Sequence, residues 1–315
     1  MPIKNHYGHG KLLLTSEYSV LDGAMALAIP TSYGQSMKVK ATRKSDLYWK
    51  SYDTEGNEWF SAQISLMDFS SVKTTDQKKS DYLQKLLKGA VRLNSEFLSK
   101  WNGFDVKTTL EFDKSWGLGS SSTLTYLVAQ WADVHPMMLH FKVSNGSGYD
   151  VACAGSDLPI NYQLDGDTIN YTPIEYEPSF SDNLYFIYLN QKQSSVDGIK
   201  YYLDKGKQKK TLAKKLTKIT ESIIDCSSIS KFIDLITEHE AAVAEHLSLE
   251  TVKSQHFSDF NGGIKSLGAW GGDFILAASD DGVSTVKSYF SQKGYDVIIP
   301  YREMIFSEKE VEVVG

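Results

Sequence analysis

A run of glycine and serine from Lys114 to Ser122 carries the clearest chemical signal in the sequence, because an apolar helical pattern follows it at once. Gly117 and Gly119 would let the backbone approach a ligand closely. The first N–H groups of a helix are unpaired and partly positive, so this junction suits a phosphate group. The serine hydroxyls could add hydrogen bonds or a magnesium ligand. The same residues also fit an ordinary serine cap after a glycine turn.

This loop differs from the two most familiar nucleotide-binding loops. It lacks Gly-Lys-Ser/Thr at the spacing of a Walker A loop, and it lacks G-x-G-x-x-G after a strand. Folds that are built on those loops are therefore disfavoured.

A carboxylate follows a second glycine-rich turn, in Gly146-Ser147-Gly148-Tyr149-Asp150-Val151-Ala152. Asp150 could accept the proton of an attacking hydroxyl or orient that hydroxyl. Its alternative role is that of an ordinary helix N-cap.

A lysine near the N-terminus and a glycine-rich turn near the C-terminus are two further candidates. Lys11 precedes an apolar triplet and is followed by Glu17 and Tyr18. A buried lysine could stabilise a carboxylate or balance phosphate charge, whereas most single lysines are solvated on the surface. The segment 265–274 could line a pocket with backbone amides, or it could be a tight turn that needs positive φ.

The elements that must position these residues follow from hydrophobic periodicity. Alternation before residue 65 predicts antiparallel strands with one wet face. Helical spacing predicts a helix over 81–101, another after residue 122, and more beyond a strand at 184–189. The change of pattern predicts two domains, 1–178 and 179–315, and the mixture of strands and helices predicts an α+β fold.

Composition narrows the class of protein. A hydrophobic content of 41% and a charged content of 23% are typical of a globular protein. The net charge of -6 argues against a nucleic-acid or anionic-membrane surface, so an anionic ligand needs local cations and amides. The two cysteines are too few for a disulfide framework, and neither a signal-peptide pattern nor a run of about 20 apolar residues is present. We therefore expect a cytoplasmic protein that binds neither nucleic acid nor membrane.

In this order, the four segments resemble the motifs of the GHMP kinases, the superfamily of galactokinase, homoserine kinase, mevalonate kinase and phosphomevalonate kinase. Lys11 with Glu17 and Tyr18 is similar to the first motif, and 117–122 to the phosphate loop. The catalytic-aspartate segment corresponds to 146–150, and the C-terminal glycine motif to 268–272. The resemblance implies an α+β, two-domain GHMP kinase fold, with an N-terminal nucleotide-binding domain, a ferredoxin-like C-terminal domain and a site between them.

The resemblance also implies which residues carry the reaction. Asp150 would be the catalytic base or orienter, with Lys11 as its electrostatic partner. Mg²⁺ would be bound by Ser121. The ATP phosphates would be bound by Gly117, Leu118, Gly119, Ser120, Ser121 and Ser122. The acceptor substrate would lie near Glu17, Tyr18, Lys192, Ser194, Ser195, Gly268, Ala269, Gly271 and Gly272.

Departures from the superfamily pattern point to one branch. Ser16 stands where the first motif has glycine, and no Asp or Glu occurs from Val134 to Tyr149, where mevalonate and homoserine kinases place a magnesium-binding glutamate. Phosphomevalonate kinases similarly lack that glutamate, and this chain resembles them in Ser147–Ala152 and Asp273.

The resemblance therefore implies an ATP-dependent kinase of phosphomevalonate or mevalonate in isoprenoid precursor synthesis. It would be a monomer or homodimer that uses Mg²⁺ and binds ATP and an anionic small-molecule acceptor. Three alternatives stay open. They are a GHMP kinase for another small alcohol such as homoserine or a sugar, a diphosphomevalonate decarboxylase, and a non-catalytic metabolite sensor on the same fold.

Overall fold

The structure is a computed structural model that describes residues 3–99, 102–166, 168–191, 195–205, 209–268, 270 and 272–307. The chain divides into two compact units that are interleaved in sequence. The first unit comprises Met1–Gly10, Tyr33–Lys114 and Leu118–Gly155, and the second comprises Lys11–Ser32, Ser115–Gly117 and Ser156–Gly315. The boundary predicted between residues 178 and 179 is a different division and stays a prediction.

The described part of the first unit contains most of a large mixed sheet and four α-helices. Its strands lie in the order β5-β4-β3-β6-β2, with β3 and β6 parallel and the other pairs antiparallel. The strands are β1 (Ile3–Leu13), β2 (Ala26–Thr42), β3 (Asp46–Tyr52), β4 (Glu58–Ser65), β5 (Ser71–Thr74) and β6 (Gly103–Leu110), of which β1 and β2 continue into the second unit. The helices are α1 (Gln77–Leu93), α2 (Ser120–Ala132), α3 (Pro136–Val143) and α4 (Tyr149–Ala154).

Alternate residues of the strands build the core of this unit. In β3, Leu47 and Trp49 are buried while Lys50 is exposed, as expected for a strand with one wet face. They pack with Leu83, Leu86 and Leu87 of α1 in one hydrophobic cluster. The core therefore holds α1 and α2 on one face of the sheet.

Helix α1 is shorter than its apolar pattern predicts. The predicted helix runs over 81–101, whereas α1 ends at Leu93 because Asn94 adopts an extended backbone and its side-chain amide donates to the Ala132 carbonyl at 2.8 Å. Phe97 continues the apolar pattern from a turn, where it is still buried. Because Phe97 is buried without being helical, its apolar spacing led to a predicted C-terminal end that was too far along the chain.

In its described residues, the second unit contains a hairpin, a small sheet and six α-helices. The hairpin of β7 (Ile160–Asp165) and β8 (Thr168–Pro173) extends from the start of β2. The separate antiparallel sheet has the order β10-β11-β9-β12, from β9 (Leu184–Tyr188), β10 (Gly263–Ser266), β11 (Phe274–Ala278) and β12 (Ile298–Pro300). The helices are α5 (Ser195–Asp204), α6 (Lys209–Ile224), α7 (Ile229–Leu247), α8 (Val252–His256), α9 (Val283–Gln292) and α10 (Tyr301–Met304).

The large mixed sheet and the separate small antiparallel sheet confirm the predicted α+β class. Every residue of β9 and β11 is buried, so the small sheet is covered on both faces. No helix within the described part of the chain is both long enough and apolar enough to span a membrane.

Candidate active site

The amino end of α2, in the first unit, has the backbone that an anion site needs. Gly119 occupies the N-cap with φ +90°, and no side chain caps the helix. Its carbonyl accepts hydrogen bonds from the Thr123 N–H at 2.9 Å and from the Ser122 hydroxyl at 2.8 Å. The N–H groups of residues 120–122 have no acceptor within the helix, and no acidic residue lies in the first turn. This end of α2 therefore carries an uncompensated partial positive charge.

The three serines of the first turn differ in exposure. Ser120 is half-buried, Ser121 is exposed and Ser122 is buried, with its hydroxyl committed to the Gly119 carbonyl. Leu118 is fully buried and can offer a ligand only its backbone. Of the predicted phosphate-loop side chains, Ser121 is the one most open to an incoming ligand.

Asp150 lies in the first turn of α4, after Gly148, whose φ is +83°. Gly148 is the N-cap of α4, so Asp150 is not the cap that the alternative reading of the sequence required. One carboxylate oxygen accepts from the Val151 N–H at 3.0 Å, and the residue is half-buried. The positive φ explains the glycine at this position, because residues with side chains rarely adopt it.

Helix α4, which carries Asp150, packs against α2 within the first unit, and Tyr82 of α1 lies near both. Burial raises the pKa of the Tyr82 hydroxyl, and the negative charge of Asp150 raises it further. That hydroxyl is 2.9 Å from the Thr125 hydroxyl, which donates to the Ser121 carbonyl at 2.9 Å. The predicted base and the predicted phosphate loop therefore lie on the same part of this unit.

Lys11 belongs to the second unit, where its ammonium donates to the Gly117 carbonyl at 3.0 Å. Gly117 has φ +66°, and a Cβ atom at this position would run into the carboxylate of Asp273. Glycine is therefore required at position 117 for two reasons, the positive φ of the backbone and the close approach of the Asp273 carboxylate. The structure brings together Lys11, the start of the phosphate loop and the C-terminal glycine motif.

Glu17 is buried and forms an ion pair with Lys265 of β10. Burial raises the pKa of the Glu17 carboxyl to about 7, against the opposing effect of the Lys265 ammonium. Its second oxygen lies 3.6 Å from Nε2 of His239. This position suits a residue that supports the turn around it, and direct contact of Glu17 with the acceptor stays a prediction.

Tyr18 connects the first motif to the C-terminal glycine-rich turn. Its hydroxyl accepts a hydrogen bond from the backbone N–H of Trp270 at 2.7 Å. Its ring stacks on the ring of Tyr202 at a centroid distance of 5.6 Å. A side chain at Gly198 of α5 would collide with the Tyr18 hydroxyl. Two segments about 250 residues apart in sequence are thus in direct contact.

The remaining predicted acceptor residues are only partly described. Gly268 has φ +70°, and Gly272 is buried. Ser195 begins α5, but its side chain lies outside the described residues. Lys192, Ser194, Ala269 and Gly271 also lie outside them.

The sequence interpretation missed the buried polar side chains of α7. His239 and Glu240 are both buried, and Glu240 accepts from the N–H and the hydroxyl of Ser266 at 3.0 and 2.8 Å. A signal was present, because these two residues fall between Ile236 and Val243 at the spacing of the helix's apolar face. Polar residues on such a face predict a buried polar network.

Comparison with known proteins rests on structure, since neither a family model nor a curated protein matches this sequence. Mevalonate kinase from Methanococcus jannaschii superimposes with a TM-score of 0.67 at 15% identity, over 95% of this chain and 97% of that one. Phosphomevalonate kinase from Streptococcus pneumoniae, solved with phosphomevalonate and AMPPNP, gives 0.70 at 14% identity, over 93% and 97%. Lactococcus lactis galactokinase, solved with galactose, gives 0.69 at 15% identity, over 92% and 89%.

The chain therefore has the GHMP kinase fold over nearly its whole length. The fold predicted from the four motifs is confirmed, and the resemblance to this superfamily is confirmed at the level of the fold. Mevalonate, phosphomevalonate and sugar kinases share this fold, so the reaction and the acceptor depend on the chemistry of the individual residues.

Proposed function

We propose that the protein is an ATP-dependent phosphotransferase for a small anionic molecule, with phosphomevalonate or mevalonate as the acceptor. The observation that carries the proposal lies in the first unit. There the glycine-capped end of α2 has no acidic residue in its first turn, and α4, which carries Asp150, packs against α2. A partly positive helix end suits ATP phosphates, and a nearby carboxylate suits an attacking hydroxyl.

Phosphoryl transfer needs positioning and charge stabilisation more than covalent help from the protein. The N–H groups of residues 120–122 would hold phosphate oxygens and stabilise the charge that develops on them. Asp150 would orient the attacking oxygen of the acceptor as the new oxygen–phosphorus bond forms and the bond to ADP breaks. In mevalonate that oxygen is a hydroxyl, whose proton Asp150 would take, and in phosphomevalonate it is an oxygen of the phosphate group. The resemblance implies that Lys11 adds positive charge to the reaction.

The residues of the first unit fit a Mg²⁺ ion that arrives with the nucleotide. Within the described residues, no group of three or more His, Cys, Asp or Glu side chains could hold a metal ion. Magnesium in such enzymes is commonly bound by one or two protein oxygens together with phosphates and water. Ser121 and Asp150 would supply those protein oxygens, and the bound ion would neutralise phosphate charge.

The choice of acceptor rests on the sequence features of the phosphomevalonate branch and on the solved structures of similar fold. A coupled assay that follows ADP release should be run with phosphomevalonate, mevalonate, homoserine and galactose. We expect turnover with one of the first two. A preference for homoserine or a sugar would refute the isoprenoid assignment, and carbon dioxide release from diphosphomevalonate would identify a decarboxylase.

Asp150→Asn tests the catalytic assignment, because it keeps the size of the side chain and removes its basic oxygen. We expect turnover to fall by about 10²–10⁴-fold, the usual contribution of a general base, while binding of an ATP analogue persists. Asp133→Asn is a matched control at the other end of α2, where the residue is exposed. Full turnover in Asp150→Asn would remove the proposed role, and an enzyme that binds nucleotide without any turnover would be a sensor.

A further inference from the structure

Four charged or titratable side chains meet in the interior of the second unit. Glu17, His239, Glu240 and Lys265 are each at most 3% exposed. They come from the loop after β1, from α7 and from β10. Charged groups are rarely buried so completely unless they are paired, so each needs an account of its partners.

The contacts show which side chain is central. The Lys265 ammonium is paired with Glu17 and also donates to the Ser266 carbonyl at 2.8 Å. Glu240 is held by the N–H and hydroxyl of Ser266. Nε2 of His239 accepts from the Ser16 N–H at 2.8 Å, and burial lowers the pKa of His239, so this imidazole is neutral. Lys265 is therefore the one cation among these four side chains.

The turn that Lys265 holds has an unfavourable backbone. Ser16 and Tyr18, on either side of Glu17, have φ values of +63° and +59°. A left-handed conformation costs a residue with a side chain about 1–2 kcal/mol, and such strain persists only where surrounding contacts enforce it. Here the enforcing contacts are the His239, Lys265 and Trp270 interactions of three successive residues.

The same contacts join this turn to the C-terminal glycine-rich turn. Lys265 lies three residues before Gly268, and Trp270, within that turn, donates its N–H to Tyr18. Two contacts therefore join the two segments. One is the buried ion pair of Glu17 with Lys265, and the other is the hydrogen bond from the Trp270 backbone to Tyr18. Both turns belong to the predicted acceptor-binding residues.

We propose that Lys265 is a positioning residue, which holds the strained Ser16–Tyr18 turn against Trp270 so that the acceptor is bound productively. This inference rests on the proposed kinase function. Lys265 itself is buried, so its effect passes through Glu17 and Tyr18. A buried ion pair adds little net stability, which favours a role in fixing one conformation.

A double-mutant cycle on Glu17 and Lys265 tests the proposal. Glu17→Met and Lys265→Met should each lower kcat/KM for the acceptor by about tenfold or more, and the double variant should be no worse than the worse single variant. Binding of an ATP analogue should stay within about twofold of wild type, because the nucleotide is assigned to α2. Lys253→Met is the matched control, since Lys253 donates to the Gly262 carbonyl at 2.5 Å, just before β10. It should leave kcat/KM unchanged.

Glu17→Met is the variant expected to keep its fold, because the buried Lys265 ammonium then still has one buried carboxylate, Glu240, to balance its charge. Amide hydrogen exchange of the peptides covering 14–25 and 264–276 gives a second measurement that needs no turnover. Both peptides should exchange faster in Glu17→Met and Lys265→Met than in wild type. Unchanged exchange, or losses in kcat/KM that multiply in the double variant, would overturn the proposal. A wild-type protein that phosphorylates none of the acceptors would refute the proposed function, while the exchange comparison would still decide whether Lys265 fastens the two turns.

Discussion

Ser16 occupies the position where the GHMP pattern has glycine, and the structure lets the consequence be calculated. Its φ of +63° is free of penalty for glycine but costs a residue with a side chain about 1–2 kcal/mol. The serine offsets part of that cost, because its buried hydroxyl donates to the Met25 carbonyl at 2.6 Å. The backbone penalty and the hydrogen bond can be separated by two substitutions.

Ser16→Ala keeps the strained backbone and loses the hydroxyl. The Thr220 hydroxyl lies 3.2 Å from the Met25 carbonyl and can turn to donate to it once the serine hydroxyl is gone. The free energy of unfolding should fall by about 1 kcal/mol, the net contribution of a hydrogen bond. Ser16→Gly loses the same hydrogen bond but relieves the backbone, so it should be more stable than Ser16→Ala by about 1 kcal/mol.

Urea unfolding followed by circular dichroism would measure the free energy of unfolding of each variant and show which of the two is more stable. Ser80 is the matched control, because it is also fully buried but lies inside α1, where glycine costs about 1 kcal/mol more than alanine. Glycine should therefore be the better substitution at Ser16 and the worse one at Ser80. The same order at both sites would refute the strain that we assign to the Ser16 backbone.

Four more substitutions probe the loop and the buried carboxylate. Ser121→Ala should raise the KM for ATP without changing the free energy of unfolding, because the side chain is exposed, whereas Ser122→Ala should lower that free energy by about 1 kcal/mol through loss of its hydrogen bond. The opposite pattern would contradict the loop geometry. Gly117→Ala should destabilise the protein by at least about 2 kcal/mol in thermal or urea unfolding. The loss should exceed that in Gly56→Ala, where φ is also positive but no atom lies within 4 Å of the added Cβ. Because burial raises the pKa of Glu17 from 4.5 to about 7, the folded state binds the extra proton, so stability should fall as pH rises through that range. This fall should be shallower in Glu17→Gln, and an equal slope would show that the pKa of this carboxyl is not raised.

The fold and the main candidates could be predicted because their signals are local. The helix predicted after residue 122 begins at Ser120, directly behind the glycines of the loop. Positive φ at Gly117, Gly119 and Gly148 is what a glycine in a sharp turn is expected to supply. Short-range patterns of this kind are readable from a single sequence.

The buried network was not readable in the same way. Glu17 and Lys265 are 248 residues apart, and an isolated glutamate or lysine has the same appearance in sequence whether it is exposed or paired in the core. The end of α1 was misplaced for a related reason, since Phe97 is buried by tertiary packing from outside the helix. Both features depend on contacts that only the folded chain creates.

The turn around Glu17 combines two features that each lower stability. A buried ion pair and two residues with side chains at positive φ would both be avoided by a turn that had only to connect β1 to the next strand. Glycine at position 16 would remove one source of strain, and an apolar pair in place of Glu17 and Lys265 would remove the buried charge. The turn instead fixes Tyr18 against Trp270 through a charged group that has few alternative partners in the core. Such an arrangement favours one conformation over nearby ones, which is the property that an acceptor-binding turn requires.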